Sequence, residues 1–316
     1  MPLHRKHLLD LDDFTRDEIS LILDTAESMS EILARPIARV PALRGKTIVN
    51  VFYEASTRTR ISFELAGKNL SADVVNVTSS GSSVEKGESI VDTFHTIQAL
   101  GADMVVMRHA DAGAPYLAAA ELNCSVINGG DGWHAHPSQG LLDLFTARRR
   151  LGDLEGKKLV IVGDIMHSRV ARSNIWGFTR MGARVVLCGP PTLLPADFLS
   201  MSGPNGLLSM EFDLDVAMRD ADLIMALRIQ KERMSGGLLP DLREYAALYG
   251  LNRERMARAK PGALVMHPGP MNQGIEIAAD VAYGASSLIE EQVSNGVAIR
   301  MAIFYLLAGG REPRNA

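Results

Sequence analysis

The chain has 316 residues, of which 47% are hydrophobic and 22% charged, and its formal net charge is -4. That length accommodates two domains with sizeable cores, and the composition is that of an ordinary globular protein. The mild acidity argues against a nucleic-acid-binding protein, no run reaches the ~18 apolar residues of a membrane span, and Cys124 and Cys188 are too isolated for a disulfide framework or a cysteine zinc site.

A reducing cytoplasm suits such cysteine usage, and the first fourteen residues are too interrupted by charge to form a signal peptide. Thr15-Arg-Asp-Glu18 reads as a capping box, opening a helix whose apolar face is Ile19, Ile22, Leu23, Ala26 and Met29. A loop with Pro36, Pro41 and Gly45 follows. Apolar segments then alternate with amphipathic ones, and 47–53, 73–78, 102–109 and 124–130 have the character of buried strands. A helix candidate at 141–150 and a polar connection at 151–158 interrupt this rhythm. A second series of strand-like runs covers 158–164, 184–190, 221–228 and 262–270, and 292–307 is helical in pattern. The expectation is an α/β protein of two doubly wound domains, each with a mostly parallel sheet flanked by helices, and a cleft between them. The first domain is expected over residues 1–140 and the second over 141–291, with the helix at 292–316 packing back on the first.

Ligands of such sheets bind beyond the carboxyl ends of the strands, where the polar clusters of this chain fall. Ser56-Thr57-Arg58-Thr59-Arg60 places three hydroxyls and two guanidinium groups between an apolar run and a helix-like run. Hydroxyls, arginine forks and the N–H groups of a helix start suit a tetrahedral dianion. Gly45-Lys46-Thr47 resembles the end of a P-loop, but Val40 stands where the first glycine belongs, and a strand follows the motif where one should precede it. Val162-Gly163-Asp164 ends a strand without the glycine pattern of a dinucleotide site. His134-Ala-His136 has no third ligand nearby for a metal, and His136-Pro-Ser-Gln139 reads better as a polar turn opening a helix. The loop at 80–87 carries one lysine, Lys86, and reads first as a surface loop. A mobile cation is also what a closing anionic site needs. Arg169 and Arg228 each follow a strand of the second half and suit a paired clamp on carboxylates.

Together these clusters resemble the aspartate carbamoyltransferases of the aspartate/ornithine carbamoyltransferase superfamily. The resemblance spans almost the whole chain. It rests on the run from Phe52 to Glu64, on Lys86-Gly-Glu88, Met107-Arg-His109, His136-Pro-Ser-Gln139, Val162-Gly-Asp164, Arg228-Ile-Gln-Lys-Glu-Arg233 and His267-Pro-Gly-Pro270. It implies that Ser56, Thr57, Arg58 and Thr59 hold the phosphate of carbamoyl phosphate. Thr59, Arg108 and His136 would contact its carbonyl oxygen and Gln139 its amino group, while Gly269 and Pro270 line the site, with a cis bond before Pro270. Arg169, Arg228 and Gln230 would bind L-aspartate. Ser82 and Lys86 would reach into the site of an adjacent chain, making a homotrimer the active unit, and Glu54 would form an interdomain ion pair favouring closure.

No cofactor or metal is implied. Regulatory chains or a dihydroorotase are further partners that the resemblance leaves open. Gln273 departs from the arginine of many relatives and receives no role. Two rival readings are an ornithine carbamoyltransferase and a non-catalytic assembly subunit. The first should carry a cysteine beside 267–270, and the second should have lost substrate ligands.

Overall fold

The computed structural model describes residues 3–78, 89–203, 206–230 and 241–309. The chain divides into two compact units, Met1–Phe145 with Val293–Ala316, and Thr146–Gln292. The first division therefore falls five residues beyond the expected 140, inside a continuous helix.

The first unit begins with α1 (Arg16–Leu33), β1 (Thr47–Phe52), α2 (Thr57–Asn69), β2 (Asp73–Thr78) and α3 (Ile90–Ala99), followed by β3 (Met104–His109), α4 (Ala114–Glu121) and β4 (Ser125–Asp131). α5 (Pro137–Leu151) carries the chain onward. The second unit contains β5 (Lys158–Val162), α6 (Arg169–Arg180), β6 (Arg184–Cys188), β7 (Leu208–Glu211), α7 (Leu214–Ala217) and β8 (Leu223–Ala226), then α8 (Leu242–Tyr249), α9 (Arg253–Met256), β9 (Leu264–Met266) and α10 (Ala279–Ala282). α11 (Ile289–Gly309) returns the chain to the first unit.

All strand pairs in both sheets are parallel, in the orders β2-β1-β3-β4 and β7-β6-β5-β8-β9. Each sheet is doubly wound. Its connections run outward in opposite directions from one pair of neighbours, β1 and β3 in the first sheet, β5 and β8 in the second. A crevice opens beyond the carboxyl ends at such a switch point.

The strands are apolar on both faces because helices cover both. On one face of the first sheet, Val49, Val51, Val105, Met107 and Val126 pack with Phe94, Ile97, Ala118 and Leu122 of α3, α4 and the α4 end. On the other, Phe63 of α2 meets Phe304 of α11 with ring centroids 5.6 Å apart. Each such fully buried side chain contributes ~1.5–3 kcal/mol. In the second unit Val160, Val162, Ile224, Ala226 and Val265 form the corresponding core with Tyr245 and Tyr249 of α8.

The α1 cap has the expected form. Thr15 Oγ1 accepts from the Glu18 N–H at 3.2 Å, and the Glu18 carboxylate accepts from the Thr15 N–H at 2.9 Å. Strand β7 has no counterpart among the expected elements. It is a four-residue edge strand, too short for its alternation to stand out.

Candidate functional site

The hydroxyl and arginine cluster forms the first turn of α2 itself, with Ser56 as its N-cap. Thr15, Ser89, Ser168, Asp213, Asp241 and Asn252 all bond the starts of their own helices through their side chains, whereas Ser56 makes no such bond. The α2 start therefore keeps its N–H groups and positive dipole end for an anion. Thr59 is buried there, Thr57 and Arg58 are exposed, and Ser56 is half-buried.

Arg108 stands on the neighbouring strand, its Cα paired with that of Phe52. The β3–β4 register shifts between Met107 and His109, so β4 spends an additional residue opposite Arg108. Such irregularities re-aim side chains at strand ends. Here the Gly129 carbonyl accepts from Arg108 Nη1 at 3.1 Å, and Glu54 Oε1 accepts from Nη2 at 2.9 Å. Glu54, expected to pair between domains, thus holds Arg108 within the first unit.

His136 opens α5. Its carbonyl accepts from the N–H groups of Gln139 and Gly140 at 2.9 and 3.1 Å, and Pro137 takes the first helical position. Gln139 is buried and donates Nε2 to Asp143 Oδ1 at 2.9 Å. Two helix starts and one gripped arginine thus lie along the carboxyl edge of one sheet, on either side of its switch point.

The second unit repeats the plan between β5 and β8. Buried Asp164 accepts at Oδ1 from the His167 N–H (3.2 Å) and His167 Nδ1 (2.8 Å), and at Oδ2 from the Gln230 N–H (3.3 Å). Gln230 Nε2 donates back to the His167 carbonyl at 3.1 Å. One carboxylate therefore ties together the loops after both strands. Gly163 permits this approach. Its φ is +136°, and a Cβ there would lie 2.7 Å from the Leu227 carbonyl oxygen. Arg169 is buried at the start of α6, and half-buried Arg228 follows β8 at the same sheet edge.

Beside β8, β9 leads into His267-Pro-Gly-Pro270, whose Gly269–Pro270 bond is cis. His267 Nδ1 accepts from the Gly269 N–H at 2.8 Å, which leaves the ring proton on Nε2, 3.3 Å from Glu276 Oε1. Gln273 donates to the Tyr283 hydroxyl at 2.7 Å.

Asp164, His167, Asp143 and Glu276 are structural partners that sequence reasoning left without roles. Only Asp164, inside a quoted motif, carried any signal. Ser82, Lys86 and Arg233 lie outside the described residues. Among the described residues no group of His, Cys, Asp and Glu side chains suits a metal ion, and no helix is long and apolar enough to cross a membrane. Burial pushes the Cys188 thiol up to about 12, so it is no ready nucleophile.

The family described as aspartate/ornithine carbamoyltransferase, carbamoyl-P binding domain, matches residues 6–149, and its Asp/Orn binding domain matches residues 155–307. The chain belongs to the aspartate/ornithine carbamoyltransferase family. Among these carbamoyltransferases, the aspartate carbamoyltransferase catalytic subunit of Roseiflexus sp. (strain RS-1) is 65% identical over 96% of each chain. The ornithine carbamoyltransferase from Pyrococcus furiosus is similar in fold, with a TM-score of 0.88 and 28% identity over 99% of this chain and 100% of that one. The aspartate transcarbamoylase from Trypanosoma cruzi, in complex with N-(phosphonacetyl)-L-aspartic acid, has a TM-score of 0.86 and 28% identity over 95% of this chain and 94% of that one. The carbamoyltransferase fold is thus common to both acceptor types, and identity at the 65% level lies on the aspartate side.

Proposed function

We propose that the chain transfers the carbamoyl group of carbamoyl phosphate to the α-amine of L-aspartate, giving N-carbamoyl-L-aspartate and phosphate, a step of de novo pyrimidine biosynthesis. The observation that carries the reading is that the uncapped α2 start and Arg108 follow the two strands of one switch point, with the His136 turn after the adjoining strand β4.

In this reading Ser56, Thr57, Arg58 and Thr59 bind the phosphate, and Thr59, Arg108 and His136 donate to the carbonyl oxygen. The aspartate amine attacks the carbamoyl carbon, and negative charge develops on that oxygen. The bond to the phosphate oxygen then breaks, and the leaving phosphate takes the amine proton. No nucleophilic side chain is needed, so rate comes from positioning and from donors aimed at the developing charge. The amide oxygen of Gln139 accepts from the carbamoyl amino group. Arg169, Arg228 and Gln230 bind aspartate, Gly269 and Pro270 line the site, and Glu54 serves both Arg108 and closure.

Three cationic side chains, Lys86, Arg169 and Arg228, suit a dicarboxylate and would repel ornithine. No cysteine adjoins 267–270, and the positions assigned to both substrates retain their ligands, which also disfavours a non-catalytic subunit. The active unit is a cytoplasmic homotrimer in which Ser82 and Lys86 serve the adjacent chain's site. A carbamoyl-amino-acid assay with aspartate and ornithine, run beside native mass measurement, tests the whole reading. Turnover of aspartate by a trimer is expected. Turnover of ornithine alone would overturn the acceptor, and an active monomer would overturn the shared site.

A further inference from the structure

His134 has no role in this reaction, yet its ring lies between two carboxylates of the first unit. Nδ1 is 3.1 Å from Asp131 Oδ2, and Nε2 is 3.6 Å from Asp10 Oδ2. Both carboxylates are buried, while the His134 side chain keeps 36% of its surface exposed.

Asp131 is a hub. Its Oδ1 accepts from the Ala135 N–H at 3.0 Å, and its Oδ2 from the Gly113 N–H at 2.8 Å. The Asp131 N–H donates to the Ala135 carbonyl at 3.1 Å. The turn that delivers His136 is therefore closed on Asp131 and tied to the loop that follows Arg108. Gly132 seals the two together. Its φ is +45°, and a Cβ there would come within 2.8 Å of the Ala112 nitrogen. Asp10 belongs to the N-terminal segment, which runs beside β4 through Leu8 N–H to the Val126 carbonyl at 2.9 Å.

We propose that His134, as an imidazolium held by Asp131 and Asp10, is a positioning residue that locks the 131–135 turn and so fixes His136 for carbamoyl transfer. The inference rests on His136 as a donor to the carbonyl oxygen. A neutral ring carries one N–H and serves only one carboxylate, so loss of the proton frees one end of the clamp. The groups facing the ring are Asp131 at the end of β4, Asp10 and Asp12 in the N-terminal segment, and the edge-on ring of Tyr116 on α4, with centroids 5.8 Å apart. The hydrogen bond to Asp131 raises the His134 pKa against an opposing effect of burial, and burial pushes Asp10 up to about 7. The His134 ring holds its proton more tightly than in the unfolded chain, and the clamp is lost as pH rises and the imidazolium deprotonates, whereas Asp10 must itself lose a proton, at about 7, to serve as the second carboxylate.

The test compares pH profiles of kcat, KM for both substrates and thermal midpoints for the wild type, His134→Gln and His136→Gln, with imidazole NMR spectra of the wild type. The wild-type His134 ring is expected to be protonated at neutral pH. His134→Gln should lower kcat by about tenfold to a hundredfold with little change in KM, and should abolish the alkaline decline of kcat. A neutral ring at neutral pH, or wild-type kcat and profile in His134→Gln, would overturn the proposal. If His134→Gln loses its thermal midpoint, the wild-type spectra decide: His136 signals must shift as His134 titrates, and their failure to do so overturns it. Retained turnover in His136→Gln would instead sink the donor role of His136, a distinguishable failure.

Discussion

Arg108 is gripped from two sides, by the Glu54 carboxylate at 2.9 Å and the Gly129 carbonyl at 3.1 Å. The carbonyl is presented by the irregular stretch of β4, and the carboxylate by the segment between β1 and α2. A guanidinium so held meets developing charge without reorganising. Arg108→Ala should therefore lower kcat by on the order of 10²–10³. Glu54→Gln keeps an acceptor but removes its charge, and a loss of roughly fivefold is expected because charged hydrogen bonds exceed neutral ones by ~1 kcal/mol. Steady-state kinetics at saturating substrates check both. Wild-type turnover in Glu54→Gln would remove Glu54 from the account.

The α2 start should bind the donor substrate before the acceptor matters. Arg58→Gln removes one charge-assisted contact of ~1.5–3 kcal/mol, so the Kd for carbamoyl phosphate should rise about 10- to 100-fold. Calorimetry without aspartate measures this directly. An unchanged Kd would place the phosphate elsewhere.

In the second unit, Asp164 joins the loops after β5 and β8 through His167 and Gln230. Asp164→Asn retains shape but replaces one acceptor oxygen with a donor facing an N–H or the His167 ring. The loop bearing Gln230 should shift, and KM for aspartate should rise by about tenfold or more, since misplacement of ~1 Å costs heavily. Carbamoyl phosphate affinity should stay constant. A loss confined to carbamoyl phosphate binding would refute this division of labour.

Much of this arrangement was legible because parallel strands buried on both faces leave continuous apolar runs, as in 104–107 and 159–162. The first turn of α2 was less so. Thr57 to Arg60 read as a junction before the helix, since so polar a helix start carries no apolar periodicity. The β7 strand was missed for its brevity. The links between Asp10 and His134, and between Asp164 and Gln230, join residues far apart in sequence. No local pattern announces such pairs. Strand order, which sets the switch points, becomes visible only in the sheet.

The N-terminal segment offers a stability prediction with a definite sign. Arg5 Nε donates to Glu18 Oε1 at 2.6 Å, and its guanidinium lies 4.0 Å above the Phe14 ring centroid. The hydrogen bond from Arg5, against an opposing effect of burial, lowers the Glu18 pKa from 4.5 to about 2. A carboxylate held below its unfolded value stabilises the fold at pH above 4.5, and that contribution is lost as pH falls through about 2. Arg5→Met keeps apolar cover over Phe14 and removes the charge. It should cost roughly 1–2 kcal/mol near neutral pH, discounted for the partial exposure of both side chains. The difference from wild type should shrink steadily between pH 4.5 and about 2. Trp133 and Trp176 fall in different units, so urea unfolding in a Trp176→Phe background follows the first unit through Trp133 fluorescence. A difference that stayed constant across that window would mean that Arg5 acts through contacts that do not titrate, its 2.8 Å bond to the Asp13 carbonyl and its charge over the Phe14 ring, and not through Glu18.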